Sequence, residues 1–356
     1  MSICSPLRRL LHDRGGGGAQ RLAVSIAAEY LSGMALLTKD FDYDLPPELI
    51  AARPLAERSG SRMLVVNRSS GAIEHRMFRE FPEYLRAEDL LVLNNTKVIP
   101  ARLFSDDGKK ELLCLNQLTA LEWRCLVKPG KALRLGKTVT VAGTTGTVVE
   151  VYENGDRLIR WDGLLDLDTH GHLALPHYMG RGDEMMDRER YQTVYAEEEG
   201  AIAAPTAGLH FTPEMLETIN HAFLTLHVGV GTFRPVSVER VDDHVMHSER
   251  YMLSAETARR ANDAARVIAV GTTVTRVLEA IGNPLQARRG ETDIFIYPPY
   301  SFGVIDGLLT NFHLPQSTLM MLVSAFAGRE LVMEAYRQAV AERYRFFSYG
   351  DCMLLI

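Results

Sequence analysis

Cysteine is scarce in this chain, and what little there is forms no pattern. Cys4, Cys114, Cys125 and Cys352 are the only four in 356 residues, and no two of them make a C-x-x-C pair. The spacings suit neither a disulfide framework nor a zinc site, so the reading is scattered thiols in a reducing compartment. Long hydrophobic runs are missing too. The densest, Leu319 to Gly328, falls well short of the ~18 apolar residues of a membrane span and reads as a buried helix. There is no excess of positive charge: 39 Lys and Arg against 45 Asp and Glu give −6. A uniformly basic nucleic-acid coat is excluded, while a local basic patch is not. The nucleotide motifs fail as well. Gly15–Gly18 has no Lys-Ser/Thr after it, and Gly229-Val230-Gly231 lacks the third glycine of the dinucleotide fingerprint.

What is present is globular: 46% hydrophobic and 24% charged residues. Residues 1–36 stand apart, with Arg8, Arg9, Arg14 and Arg21 ahead of an apolar stretch that Glu29 interrupts. No tidy cleavage site follows, so this part reads as a disordered extension, with Met34 the natural start.

The remainder divides by period. Residues 101–165 carry short strand signals in quick succession: Leu112–Leu115, Trp123–Val127, Thr138–Val141, Gly146–Tyr152 and Arg157–Trp161. Asn154-Gly155 is a hairpin signal. This segment is predicted to be a small antiparallel β-barrel, inserted into an α/β main domain formed by residues 37–100 and 166–356 with a mixed sheet and flanking helices. In the main domain, Leu45-Pro46-Pro47-Glu48 reads as a helix start. Met63–Asn67, Leu90–Asn94, Ala222–Val228, Val267–Val270 and Ile294–Tyr297 read as strands. Helices are predicted after Thr212, after Ser254, over Val274–Ala280, over Leu319–Ala327 and from Leu331.

Chemistry-bearing residues gather where predicted strands end, which is where α/β sheets place their sites. His210 lies in the small-residue run 203–211, either as a base near neutral pH or as a hydrogen-bonded turn histidine. His227 sits in a strand, where a core role is the default, and Arg234 follows with a fork suited to a carboxylate or phosphate. Thr272 and Thr273 open a helix whose N-terminus suits an anionic or polar group, or simply cap it. Asn311 and His313 precede the buried helix as a donor–acceptor pair, or as a self-satisfied polar loop. His170, His172 and His177 imitate metal spacing, but no element presents them together and no metal is expected. Between Trp123 and Lys137 stand five basic residues and no acid, among them Lys128, Lys131 and Arg134. They form a phosphate-contacting edge or a solvated rim. The residues alone reach an α/β enzyme with an inserted β domain, and no named reaction.

Several strings together resemble the S-adenosylmethionine:tRNA ribosyltransferase-isomerase family of queuosine biosynthesis. They include SRMLVV (61–66), NNTKVIPARL (94–103), AAPTAGLHFT (203–212), FLTLHVGVGTFRPV (223–236), VIAVGTT (267–273), TDIFIYPPY (292–300), LLTNFHLPQSTLMMLVSAFAG (308–328) and RYRFFSYGD (343–351). The resemblance runs from about residue 38 to the end. It implies a two-domain, cytoplasmic, monomeric enzyme. Such an enzyme consumes S-adenosylmethionine, moves its ribosyl unit onto 7-aminomethyl-7-deazaguanine at the tRNA wobble position, and releases adenine and methionine. Carried onto the matching strings, the reaction's needs select His210, His227 or His313 for proton transfer, and Arg234 or Arg276 for the methionine carboxylate. Tyr297 and Tyr300 fall to the sulfonium or a base. Asn311 and His313 fall to the adenine or deazaguanine, Thr272 and Thr273 to substrate, and Lys128, Lys131 and Arg134 to RNA phosphates. Two departures stand out: Asn95 where the family usually has Asp, and Val274 where it usually has Ser. The competing readings are an ordinary methyltransferase, which lacks its glycine motif here, and a passive RNA-binding module, which the strand-end His, Arg and Asn clusters oppose.

Overall fold

The computed structural model describes residues 35–229 and 236–356. Two sheets dominate it. The strands are β1 (Arg62–Val66), β2 (Ile73–Met77), β3 (Asp89–Asn94), β4 (Thr96–Val98), β5 (Arg102–Phe104), β6 (Glu111–Thr119), β7 (Glu122–Lys128), β8 (Thr138–Val141), β9 (Thr144–Val151), β10 (Arg157–Trp161), β11 (Glu198–Ala201), β12 (His221–Leu226), β13 (Glu249–Leu253), β14 (Arg266–Val270), β15 (Arg288–Thr292), β16 (Gly307–Asn311) and β17 (Cys352–Leu355). The main sheet has nine strands in the order β15-β13-β12-β3-β14-β16-β17-β1-β2. Strands β12, β3, β14 and β16 run parallel; β17 and β1 run opposite to them.

The central strands are buried throughout, as a sheet covered on both faces requires. Their side chains alternate between two cores. Leu64, Val66, Leu90, Val92, Val267, Ala269, Met353 and Leu355 face one, and Met63, Val65, Leu91, Leu93, Ile268, Val270, Cys352 and Leu354 the other. Besides two four-residue helical turns, Leu167–His170 and Asp187–Arg190, the helices among the described residues are α1 (Pro213–Thr218), α2 (Ala255–Asp263), α3 (Thr272–Ile281), α4 (Thr318–Ala327) and α5 (Arg329–Ala341). The first core takes Ala258 of α2, Val274 and Val277 of α3, Met320 of α4 and Val332 of α5. The second takes Leu216 of α1 with Phe78, Phe81 and Phe211. The side chains of Thr212, Ser254 and Ser317 cap α1, α2 and α4 by accepting from backbone N–H groups.

The inserted unit is a six-stranded antiparallel sheet, β5-β6-β7-β10-β9-β8, curled until its edges nearly meet. Asp106, just past β5, fastens the edges. Its N–H donates to Thr140 O (2.8 Å), and its carboxylate accepts from Ala142 N (2.7 Å) and Gly143 N (3.1 Å). Gly146 is required where β9 crosses β10, because a Cβ there would lie 2.6 Å from Ile159 Cγ2 and 2.9 Å from Trp161 Cε3. The Asn154-Gly155 turn joins β9 to β10 with Gly155 at φ 89°, as its sequence predicts. Cys114 and Cys125 face each other across β6 and β7, buried and unbridged.

Two expectations need correction. Ile294–Tyr297 is not a strand; the edge strand is β15, whose residues are mostly exposed. An edge strand facing water on both sides has no apolar alternation to read, whereas Ile296 is apolar because its loop packs on the core. The helix expected from Leu45-Pro46-Pro47-Glu48 is a single 3₁₀ turn, Pro47–Leu49. No helix among the described residues is long and apolar enough to cross a membrane.

Candidate active site at the strand ends

The pairing directions bring the C-terminal ends of β3, β12, β14 and β16 to the same edge of the sheet as the N-terminal ends of β1 and β17. Along that edge lie Ser61, Asn94 to Thr96, His227, Gly271 to Thr273, Asn311 to His313 and Asp351. A 3₁₀ segment, Thr206–His210, brings His210 onto it.

Three of these residues form a buried chain. Asn311 Nδ2 donates to Phe347 O (2.9 Å) and Ser348 O (3.3 Å), which fixes its amide and turns Oδ1 toward His210 Nε2 (3.0 Å). Oδ1 can only accept, so Nε2 carries the proton and Nδ1 the lone pair. Ser61 Oγ, 2.8 Å from Nδ1, therefore donates to it. His210 is 4% exposed and Ser61 5%. Burial pushes the imidazole down to about 4 against a gain from Asn311, and the positive fields of Arg345 and Arg58 lower it further. The ring is neutral at pH 7, with one tautomer enforced. Ser61 was not legible as a candidate: a serine ahead of a strand carries no spacing signal, and its partner is 149 residues away.

His227 and His313 join no such chain. His227 is half-buried at the end of β12. Its Nδ1 is 2.9 Å from Thr96 Oγ1, and the ring packs over Gly200, where a Cβ would lie 3.0 Å from Nδ1. Burial, with Arg250 nearby, lowers its pKa. His313 is buried, with Nε2 3.0 Å from Thr310 Oγ1. Its backbone N–H donates to Tyr336 Oη (2.9 Å), and its carbonyl accepts from Tyr43 Oη (2.5 Å). Burial alone takes it to about 3. Its contacts hold the turn between β16 and α4.

Arg276 is largely committed within the fold, with only its Nη2 left buried and without a partner among the described residues. Its guanidinium is buried in an ion pair with Glu249, and Nε donates to Ile294 O (3.2 Å). Glu249 also accepts from Gly229 N (3.0 Å), so the pair holds the chain leaving β12. Arg234 lies outside the described residues. Thr272 is buried at the start of α3, and Thr273 Oγ1 is buried with no partner. Tyr297 packs on Phe295 with ring centroids 4.7 Å apart. Tyr300 Oη donates to Glu279 of α3 (3.4 Å), whose carboxylate also accepts from the N–H groups of Gly303, Val304 and Ile305. That fastens the 300–305 loop to the helix.

Asn95 Oδ1 accepts from Thr225 Oγ1 (2.7 Å), and its Nδ2 faces Glu197 (3.4 Å). On the barrel, Lys128, Lys131 and Arg134 are exposed and make no ion pair, whereas Arg124 is taken by Asp156. A cavity of about 190 Å³ opens beside Lys128 between the barrel and Ala174 to His177, away from the strand-end rim. No grouping of three or more metal-ligating side chains occurs among the described residues, and His172 pairs with Asp183.

Residues 38–355 match the protein family described as queuosine biosynthesis protein. An S-adenosylmethionine:tRNA ribosyltransferase-isomerase of Trichlorobacter lovleyi is 51% identical over 90% of this chain and 100% of its own length. The enzyme of the same description from Desulfitobacterium hafniense is 48% identical over 89% of this chain and 99% of its own. The crystal structure of an S-adenosylmethionine tRNA ribosyltransferase from Thermotoga maritima is also similar. It shares 39% identity, covers 89% of this chain and all of that one, and has a TM-score of 0.52.

Proposed function

The chain belongs to the queuosine-biosynthesis family of S-adenosylmethionine:tRNA ribosyltransferase-isomerases, and we propose that it performs that reaction at the strand-end rim. Its substrates are S-adenosylmethionine, consumed as ribosyl donor, and tRNA carrying 7-aminomethyl-7-deazaguanine at the wobble position. Adenine and methionine leave, and epoxyqueuosine forms in the tRNA. The enzyme works in the cytoplasm as a monomer and without a metal. Residues 37–100 and 166–356 form the catalytic domain, residues 101–165 the barrel, and residues 1–36 an N-terminal extension outside both.

The observation that carries the site assignment is the Ser61–His210–Asn311 chain. It is a fully buried polar network with one enforced tautomer, which a fold keeps only at a cost in desolvation. In this reading Asn311 fixes His210, and His210 accepts the Ser61 hydroxyl proton, which leaves Ser61 Oγ to accept from an N–H of the adenine edge and position the adenosine. The sulfonium makes the ribose C5′ hydrogens acidic. His227 suits their removal, since its Nε2 has no hydrogen-bond partner among the described residues. Thr96 Oγ1 donates toward Glu198 O (3.4 Å), which leaves the imidazole Nδ1–H to donate to Thr96 and the lone pair on Nε2. Tyr297 flanks the adenosine, with Thr272 and Thr273 at its polar edge. Lys128, Lys131 and Arg134 meet anticodon-stem phosphates.

The test is turnover of S-adenosylmethionine with tRNA carrying the aminomethyl base, followed by adenine release and the mass of the modified nucleoside. His227→Ala is expected to abolish exchange of C5′ hydrogens with deuterated water. Ser61→Ala should leave that exchange intact and slow adenine release about ten-fold, in the range of one lost hydrogen bond. Full turnover in both variants would remove these residues from the chemistry.

A further inference from the structure

The reaction proposed above needs a cation for an oxyanion, and the two arginines that sequence reasoning offered do not supply it: Arg276 is held by Glu249, and Arg234 lies outside the described residues. A different pair stands beside His210. Arg58 is half-buried, and its Nη1 donates to Leu209 O (3.2 Å), the residue next to His210, while Nη2 donates to Glu189 O (3.0 Å). Arg345 is also half-buried; its Nη2 donates to Arg53 O, and its Nη1 is buried with no partner among the described residues. Neither guanidinium has a carboxylate of the described residues within 4.0 Å. Arg190 adds a third charge close enough to repel Arg58. Its Nη1 donates to Ala56 O (3.1 Å), and its Nε is buried and unpartnered.

Arg68 shares this pattern, with Nε buried and unpartnered, but it donates to Phe326 O (3.2 Å) and Asp306 O (2.8 Å) past the far end of β1, away from His210; others differ. Arg181 and Arg266 hold Asp187 and Asp89, and Arg157 places its N–H groups on the carbonyls of Leu133, Gly155, Asp156 and Gly130. The one carboxylate near Arg345 is Asp351. Its oxygens are already accepting from the backbone N–H groups of Arg62 (2.8 Å) and Arg345 (2.7 Å). Desolvation lowers the pKa of both Arg58 and Arg345, so the fold bears the cost of two shielded, uncompensated cations. A guanidinium left with free N–H groups in a dry setting matches a carboxylate or phosphate oxygen pair.

We propose that Arg58 and Arg345 form an oxyanion-binding subsite adjoining His210, completed by a substrate. The reaction offers two sources of that chemistry, the carboxylate of the methionyl arm of S-adenosylmethionine and a phosphodiester of the tRNA. The subsite rests on the ribosyltransferase reading, but its test does not need turnover.

The full-length chain and its Arg58→Met and Arg345→Met variants are titrated with S-adenosylhomocysteine, which keeps the carboxylate, and with 5′-methylthioadenosine, which lacks it. Binding of unmodified tRNA is measured in parallel, and thermal unfolding checks that each variant is folded. Arg58→Lys and Arg345→Lys serve as charge-preserving partners. A loss of about ten-fold or more for S-adenosylhomocysteine, with 5′-methylthioadenosine unchanged and partial recovery in the Lys variants, establishes the subsite and assigns it to the carboxylate. The same loss confined to tRNA establishes it and assigns it to a phosphate. Folded variants that bind all three ligands as the parent does, or that lose the two nucleosides equally, overturn it. A parent chain that binds normally yet releases no adenine would instead count against the reaction.

Discussion

Two buried neutral histidines make this protein's stability depend steeply on mild acid. His210 is held down to about 4 and His313 to about 3, both chiefly by burial, against 6.5 for the free side chain. Their folded values lie below the unfolded one, so the unfolded state takes up protons first. The stability they carry is complete above about pH 6.5 and is lost as pH falls toward the folded values. Between pH 7 and pH 5 linkage gives about 2 kcal/mol lost per histidine, hence about 4 kcal/mol for the two, a large fraction of a typical 5–15 kcal/mol. Asp351 works the other way: burial raises its pKa, so its folded state gains protons on acidification. A difference measurement cancels that contribution. Urea unfolding of the parent and of His313→Gln, which keeps a polar atom near Thr310 Oγ1, would be followed at pH 7 and pH 5. The variant is expected to lose about 2 kcal/mol less than the parent over the interval. Equal losses in the two proteins would mean that His313 is not neutral and shielded in the folded state, and the reasoning would fail.

The remaining predictions concern packing, an ion pair and the barrel. Gly208→Ala would place a Cβ 2.0 Å from Tyr195 Oη and 2.9 Å from Thr193 Cγ2. Overpacking of that kind costs about 1–3 kcal/mol in equilibrium unfolding and should displace the turn that carries His210. Arg276→Met leaves Glu249 buried without its partner, and a loss of about 3–5 kcal/mol in stability is expected with little change in KM for S-adenosylmethionine. The reverse pattern would restore Arg276 as a substrate clamp. Replacing Lys128, Lys131 and Arg134 together by Ala should lower the slope of log K for tRNA against log salt by about 2–3, at about 0.7–0.9 per phosphate contact. An unchanged slope would make these residues a solvated rim.

Much of the fold was legible because burial writes itself into the sequence with a period. The runs over 63–66, 90–93 and 267–270 are apolar at every position, and the two cores take alternate residues. The barrel strands were readable one by one because Gly- and Asp-containing turns separate them, and Asn154-Gly155 fixed one hairpin. The strands that escaped include the fully buried β16 and β17, runs of only five and four residues, together with those that have little to bury. Strand β2 is mostly exposed, β15 nearly all exposed, and β11 is a four-residue edge paired to the three-residue β4. The candidate site divides along similar lines. His210 and Asn311 were visible as polar residues set among small or apolar ones. Their bond was not, since 101 residues separate them and no spacing rule reaches that far. Arg58 lay in no quoted string, Arg345 stood in the matched string 343–351 without a role, and only the lack of carboxylate partners in three dimensions sets them apart.

The Asn95 departure follows the same logic of partners. In the family pattern a carboxylate stands there, and its loss first reads as a damaged site. The structure gives the amide two tasks that a carboxylate cannot share. Its oxygen accepts from Thr225, and its nitrogen faces the Glu197 carboxylate at 3.4 Å. An aspartate would keep the first contact and set two negative charges against each other in the second. Nothing about that position reaches the Ser61–His210–Asn311 chain, which is held by the carbonyls of Phe347 and Ser348. The amide therefore reads as matched to Glu197 on the outer flank of the rim. The chemistry proposed for His227 is bounded by Thr96 next to it rather than by Asn95 itself.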